Sequence, residues 1–169
     1  MGEIADAVLG ASLGWPRVEE YDRPVQTPAE RQIVIATDGS DSARHAVTAG
    51  CKLAGALGAR AVLLYVRPAM GALGEPYHQE RLSKEMEHAR VALDRAKGIA
   101  EFEGVESEEE ILEGQPADEI VGLARARDAL LIVVGSRGLG AVAGALIGSV
   151  SSAVLHRADR PVVVVPVHE

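Results

Sequence analysis

Ala129-Leu-Leu-Ile-Val-Val-Gly135-Ser-Arg-Gly138-Leu-Gly140-Ala-Val-Ala-Gly144-Ala-Leu-Ile-Gly148-Ser149-Val150-Ser151-Ser152 is the stretch that decides the fold, and it admits two readings. Residues 138–155 carry no charge, and Gly140, Gly144 and Gly148 repeat the small-residue spacing of packed membrane helices. Against a spanning helix, the same residues include four glycines and three serines, and few large apolar side chains. The compact run 129–135 before them reads as a buried strand, as does Pro161-Val-Val-Val-Val-Pro166 after them. A membrane helix would leave both strands without a sheet. The segment is therefore read as a glycine-rich loop and a short helix, from about Ser149 to Arg157, between two buried strands.

Working outward, Ile33-Val-Ile-Ala36 is another short apolar run, stopped by Asp38-Gly39. Ser40 or Asp41 can cap the helix that follows. Ala43, Ala46, Val47, Gly50, Cys51, Ala54 and Leu57 give that helix a face of small residues, and Gly58 ends it. The run 61–66 is a second buried strand, closed by Pro68. A loop rich in Gly and Pro is expected from Pro68 to about Tyr77, then a long helix to about Phe102, its polar faces a solvated surface. Residues 105–112 form a weaker strand loaded with Glu106, Glu108, Glu109 and Glu110, which suits an exposed edge that resists unwanted pairing. Pro116 opens the next helix, with Asp118 and Glu119 in its first turn. Five strands thus alternate with four helices. The alternation predicts an α/β fold: an open parallel five-stranded sheet with helices on both faces and right-handed crossovers. Ligands in such sheets bind beyond the carboxyl ends of the strands, where the strand order reverses.

Composition agrees. Hydrophobic residues are 47% and aromatics only 3%, so the core is built from Ala, Val, Leu and Ile, as parallel strands covered on both faces require. Acidic residues outnumber basic ones 25 to 17, a formal charge of −8 that argues against binding nucleic acid. Cys51 is the only cysteine, so no internal disulfide forms, and its place on an apolar helix face reads as a buried small hydrophobe. Glu3 and Asp6 precede any apolar stretch, which is wrong for a secretory signal, and the cytoplasm is the expected compartment. Residues 1–30, with Pro16, Pro24, Pro28 and the lone Trp15, keep no period and are expected to be a flexible arm, with Trp15 and Val18 as its anchors. Residues 31–169 are expected to form one regular α/β domain.

The chemistry sits in the glycine-rich loop. Gly135 and Gly138 let the backbone take positive φ and approach a ligand without Cβ clashes. Gly148-Ser149 then opens a helix whose free amides and positive dipole end favour anions, with Ser149 and Ser151 adding hydroxyl donors. A loop that merely turns the chain is the alternative, and these residues alone leave both readings open. No Gly-x-x-x-x-Gly-Lys-Ser/Thr occurs, so the chain is not a P-loop NTPase. Gly138-Leu-Gly140-Ala-Val-Ala143 has the form of a dinucleotide fingerprint, but follows the fourth strand where that motif belongs to the first. Gly135-Ser136-x-Gly138 is one residue out of register for a nucleophile elbow.

The spacing Gly135-x2-Gly138-x9-Gly148-Ser149 resembles the ATP-binding signature of the universal stress protein family, in its nucleotide-binding branch. The resemblance covers about residues 31–167, including the opening Ile-Val-Ile-Ala-Thr-Asp-Gly-Ser and the closing Arg-Pro-Val-Val-Val-Val-Pro. It implies a Rossmann-like, adenine-nucleotide α-hydrolase-like fold. It also implies residue roles: Asp38 would meet the adenosine, with Ala36 and Thr37 on the same edge, and Val66 and Val134 would wall the adenine. Gly135 and Gly138 would contact ribose and phosphates. Gly148, Ser149, Val150 and Ser151 would bind phosphates through amides and hydroxyls. Arg137 would add a countercharge or point to solvent, and Asp38 would serve equally as a loop cap. The family's dimers pair the last strand with its twin, and Val162 to Val165 would otherwise be an uncovered hydrophobic edge.

The expected function is thus that of an ATP-binding stress-response protein, a nucleotide-dependent regulatory or signalling dimer with at most slow hydrolysis, magnesium accompanying the phosphates. Its histidines (45, 78, 88, 156 and 168) are scattered, without metal-ligand spacing, and no catalytic or metal-ligating set is expected. Two alternatives stand beside it. One is an ATP-using enzyme, because Thr37-Asp-Gly-Ser-Asp-Ser42 faintly resembles the loop of ATP pyrophosphatases. The other is a nucleotide-free scaffold of the same family.

Overall fold

The computed structural model of the chain describes residues 26–27, 30–69, 75–137 and 147–166. Among them the order is β1 (Gln32–Ala36), α1 (Asp41–Leu57), β2 (Arg60–Arg67), α2 (Glu75–Phe102), β3 (Ser107–Glu113), α3 (Pro116–Ala126), β4 (Leu131–Gly135), α4 (Ser149–Arg157) and β5 (Val162–Val165). Most of the expected arm, with Trp15 and Val18, lies outside the described residues, and so does Gly138.

The sheet order is β3-β2-β1-β4-β5, and every pairing is parallel. β1 is central. Its residues Ile33, Val34 and Ile35 have no exposed surface, and burying side chains of this size contributes about 1.5–3 kcal/mol each. Alternation sends Ile33 and Ile35 to one face, under Ala46, Val47, Cys51 and Ala54 of α1 and Ala89, Leu93 and Ala96 of α2. Val34 goes to the other, under Ile120 and Val121 of α3 and Val154 of α4. Helices therefore cover both faces, as the continuous apolar runs predict. The small-residue face of α1 lets that helix lie close: a Cβ on Gly50 would stand 2.7 Å from Ile35 Cδ1.

Local signals resolve as chemistry dictates. Ser40 caps α1, its Oγ accepting from the Ala43 amide at 3.1 Å, while Asp41 is the first helical residue. Gly58 ends α1 in the left-handed conformation, φ 60°. The helix α2 begins at Glu75, before the expected start near Tyr77, with Pro76 in the first turn where its missing N–H costs no hydrogen bond. Cys51 is fully buried, and desolvation, helped by the charge of Glu103, pushes its thiol up to about 11. Such a thiol is an inert core hydrophobe.

The acidic edge strand is more than a solvated surface. β3 pairs only with β2, and its carboxylates alternate between the two faces. Glu108 and Glu110 converge on Arg127 after α3, while Glu109 faces Lys97 of α2 at 3.9 Å. The Arg127 guanidinium holds the Glu108 carboxyl below its usual value.

At the entries to β4 and β5, Arg160 is buried to 2% side-chain exposure. Its Nη1 donates to the Ala129 carbonyl at 2.7 Å and its Nε to Asp159 at 2.9 Å. Asp159 also accepts from Arg125, 3.0 Å away. Arg160 first, and then Arg125, hold the Asp159 carboxyl down to about 2 against an ordinary value of 3.8. A depressed folded value means this contribution is complete above pH 3.8 and is lost as pH falls through about 2. The thermal midpoint of the wild-type protein is therefore expected to fall more steeply across that window than that of Asp159→Asn. Parallel acid profiles in a melting series would remove Asp159 from the account. Gln26, in the expected arm, donates to the Asp128 carbonyl at 2.8 Å and carboxylate at 3.0 Å, so this residue is held at the α3–β4 turn.

Candidate functional site

Strand order reverses between β1 and β4: the chain runs outward to β2 and β3 on one side, then to β4 and β5 on the other. At this switch point β1 leads to α1 on one face of the sheet and β4 leads to α4 on the other. The register sets Ile35 beside Val133, so Thr37 and Gly135 leave the sheet at the same level. A crevice between diverging loops at the carboxyl ends of parallel strands is where open α/β sheets take ligands.

On the β1 side, Ala36 is half-buried at the strand end and Thr37 is 8% exposed. The Thr37 amide continues the ladder by donating to the Leu64 carbonyl, and its hydroxyl oxygen accepts from the Gly39 amide at 3.2 Å. Gly39 has φ 79°, a left-handed position at the turn. The Asp38 carboxylate accepts from the Ser40 amide at 3.0 Å, so its loop-capping role is present in the structure. Val66, on β2 next to this loop, is half-buried against the core under α3 and α4. Tyr65 faces the other side. Burial raises its phenol, and the nearby charges of Glu85 and Asp38 add to the shift.

On the β4 side, Val134 is 3% exposed and its side chain belongs to the core beneath α3 and α4. Gly135 corrects one expectation. The described glycines with positive φ are 39, 58, 104 and 114, so Gly135 is not a left-handed residue. Its lack of a side chain serves approach instead: a Cβ there would lie 2.9 Å from Ser42 Oγ and 3.2 Å from the carbonyl oxygens of Ser42 and Arg137. The first turn of α1 is seated on this glycine. Arg137 is half-buried, and its side chain has no ion-pair partner among the described residues.

Gly148 is the N-cap of α4, in extended conformation, and among the described residues no side chain caps that helix. Its amide donates to the Ser136 carbonyl at 2.6 Å. Ser149 and Val150, in the first turn, are exposed, whereas Ser151 is buried and its hydroxyl donates to the Gly135 carbonyl at 2.5 Å. Of the two serine hydroxyls expected to face a ligand, that of Ser149 is on the accessible side and that of Ser151 fastens α4 to the end of β4. The α4 amide dipole end and the Asp38 loop are thus brought to one edge of the sheet, with Gly135 between them. Val134 is brought there only by its backbone.

Two serines that sequence reasoning missed hold the crevice together. Ser136 is 6% exposed, its amide donating to the Val165 carbonyl at 2.7 Å. Ser42 is 7% exposed, its Oγ accepting from the Arg137 amide at 3.4 Å. The available signal for Ser42 was the stripe Ser42, Ala46, Gly50 at helical spacing, which puts the hydroxyl on the buried face. A cleft of about 150 Å³ opens between α1, α2 and the β1–α1 loop, lined by Thr37, Gly39, Ser40, Arg44, Arg95 and Ile99 among others, so it shares that loop with the crevice. It takes no lining residue from the β4–α4 side. Among the described residues no group of three or more His, Cys, Asp or Glu is placed to hold a metal ion, and no helix is long and apolar enough to cross a membrane.

Residues 30–166 match the model of the universal stress protein family. A universal stress protein of Thermus aquaticus is 39% identical over 137 residues, covering 80% of this chain and 98% of that one. Among solved structures, a universal stress protein in complex with cAMP is 33% identical with a TM-score of 0.58, over 82% of this chain and 98% of the other. The universal stress protein of Archaeoglobus fulgidus in complex with dAMP is 28% identical with a TM-score of 0.64, over 79% and 96%. Fold, strand order and the sequence match over four-fifths of the chain agree: the chain belongs to the universal stress protein family.

Proposed function

We propose that this chain binds an adenine nucleotide in the crevice between the β1–α1 and β4–α4 loops, with ATP as the ligand that carries its function. The observation that carries the reading is the uncapped N-terminus of α4 standing across Gly135 from the Asp38 loop. Backbone amides that no described side chain satisfies, at the positive end of a helix dipole, favour phosphate. Ala36, Thr37 and Asp38 would line the adenosine end with Val66, and the main chain of Val134 would close it. Gly135 and Gly138 would approach ribose and phosphates. The amides at Ser149, Val150 and Ser151, with the Ser149 hydroxyl and the Arg137 guanidinium, would hold the phosphates, while Gly148, expected to offer its amide, has that amide taken by the Ser136 carbonyl and would contribute close backbone approach. Magnesium would be held by phosphate oxygens and water, since it keeps several waters and asks for few protein ligands.

Relatives solved with cAMP and dAMP favour a second reading, in which a monophosphate is the resident ligand. Calorimetry with ATP, AMP and cAMP, together with mass spectrometry of what co-purifies, separates the two. Preference for ATP by about tenfold or more, about 1.4 kcal/mol, is the expected result. Equal affinity for AMP would transfer the assignment to the monophosphate, and binding of none would leave a nucleotide-free scaffold.

In the functional unit we propose, two copies pair through β5 in the cytoplasm, and nucleotide state selects their partners. β5 is a sheet edge whose four valines are each only half-buried. An all-valine edge invites pairing with a twin. Residues 1–30 would remain an arm outside the binding domain. Hydrolysis would be slow, because the proposed contacts bind phosphate without supplying a general base. Phosphate release near 1 per second or faster would instead make the protein an ATP-using enzyme.

A further inference from the structure

We propose that Ser42 is a positioning residue for the crevice: its buried hydroxyl fixes the Gly135–Arg137 turn against the first turn of α1 and so sets the gap between the two loops. The functional consequence rests on the nucleotide reading above, whereas the coupling itself belongs to the ligand-free chain.

A serine in the first turn of a helix ordinarily serves as its cap, and in α1 that task falls to Ser40. Ser42 is the second helical residue and 7% exposed, and its oxygen is turned toward another element, where it accepts from the Arg137 amide. The turn is gripped from three other directions. Ser151 donates to the Gly135 carbonyl, the Gly148 amide to the Ser136 carbonyl, and the Ser136 amide to Val165. All three belong to the α4 and β5 half of the site. Among the described residues, Ser42 supplies the one hydrogen bond that reaches the turn from the α1 half.

Contact geometry supports the same role. Ser42 Oγ and the Ser42 carbonyl both crowd the place where a Gly135 side chain would stand, at 2.9 and 3.2 Å. The two loops are therefore in register through a glycine on one side and a serine on the other. Because the Asp38 loop leads directly into α1, a displacement of the turn relative to Ser42 is a displacement of the phosphate end of the crevice relative to its adenosine end.

Ser42→Ala removes the acceptor while keeping a good helix former on the buried face. In the full-length, ligand-free protein, amide hydrogen exchange at Arg137 is expected to accelerate by about 3- to 10-fold, the equivalent of one neutral hydrogen bond. Exchange at Ile35 in the core should stay unchanged. Calorimetry should show ATP binding weakened by a similar factor, about 3- to 10-fold, with adenosine affinity unaltered. Unchanged exchange at Arg137 would overturn the coupling. Equal weakening of ATP and adenosine, or no change in either, would overturn the positioning role. Wild-type protein that binds neither ligand would remove the nucleotide reading and with it this role, while the exchange result would still decide separately whether Ser42 holds the turn.

Discussion

Gly135→Val is expected to lower adenine-nucleotide affinity by about 100-fold. The reason is steric and specific. Even the first atom of a side chain at 135 meets Ser42 Oγ at 2.9 Å, and two of its three nearest neighbours are backbone carbonyl oxygens, which cannot rotate away. Either the first turn of α1 or the 135–137 turn has to move. Movement there breaks the alignment of several phosphate donors at once, and losing one or two charge-assisted hydrogen bonds, at ~1.5–3 kcal/mol each, accounts for a factor of this size. The overpacking itself should reduce stability by ~1–3 kcal/mol, leaving a folded protein to titrate. Gly138→Val is the companion variant. It is expected from the signature spacing to abolish binding with unfolding still cooperative. Calorimetry on both, with circular dichroism to establish that they fold, checks the prediction. Wild-type affinity in either folded variant contradicts the assigned loop.

The largest effect on stability is expected from Arg160→Ala. A guanidinium with 2% side-chain exposure is tolerable only because the Ala129 carbonyl, Asp159 and Asp128 surround it, at 2.7, 2.9 and 3.8 Å. It ties the entry of β5 to the entry of β4, at the amino-terminal end of the strands and so opposite the carboxyl end that would take the ligand. Its removal leaves the carbonyl of fully buried Ala129 without this donor and opens a cavity beneath the chain. The carboxylates stay partly hydrated, so the loss falls below that of a fully buried pair, at ~2–3 kcal/mol. For a domain of this size that lowers Tm by roughly 4–12 °C. Nucleotide affinity, measured where the variant is folded, should be within about twofold of wild type, because additivity holds for distant sites. A Tm unchanged from wild type would show that Arg160 is bystander rather than clasp.

The sheet and its helices were readable from apolar runs because both faces of a parallel sheet are covered, and Ile33-Val-Ile is buried whichever way each side chain points. Helix ends were readable where a single residue type carries the geometry, as with Ser40 and Gly58. The site was readable in outline only. Asp38, Gly135 and Gly148 fall at one edge because topology puts them there, but Gly135 is required for approach rather than for backbone conformation, and Ser151 fastens α4 to β4. Ser42 and Ser136 were missed because their partners are 95 residues away and in a neighbouring strand, distances on which local spacing is silent. The same holds for Arg127, whose carboxylate partners sit on β3, so a strand that reads as a charged edge is in fact half of a cross-element ion network.

Amide chemical-shift mapping during an ATP titration addresses the nucleotide assignment most directly. The account predicts saturable shifts at Gly135, Arg137, Gly148, Ser149 and Val150 with one equivalent of ligand, spreading to Asp38 and Gly39. Shifts at Arg44, Arg95 and Ile99 with none at Gly135, Gly148, Ser149 or Val150, or no shifts at all with saturating ATP, would contradict it.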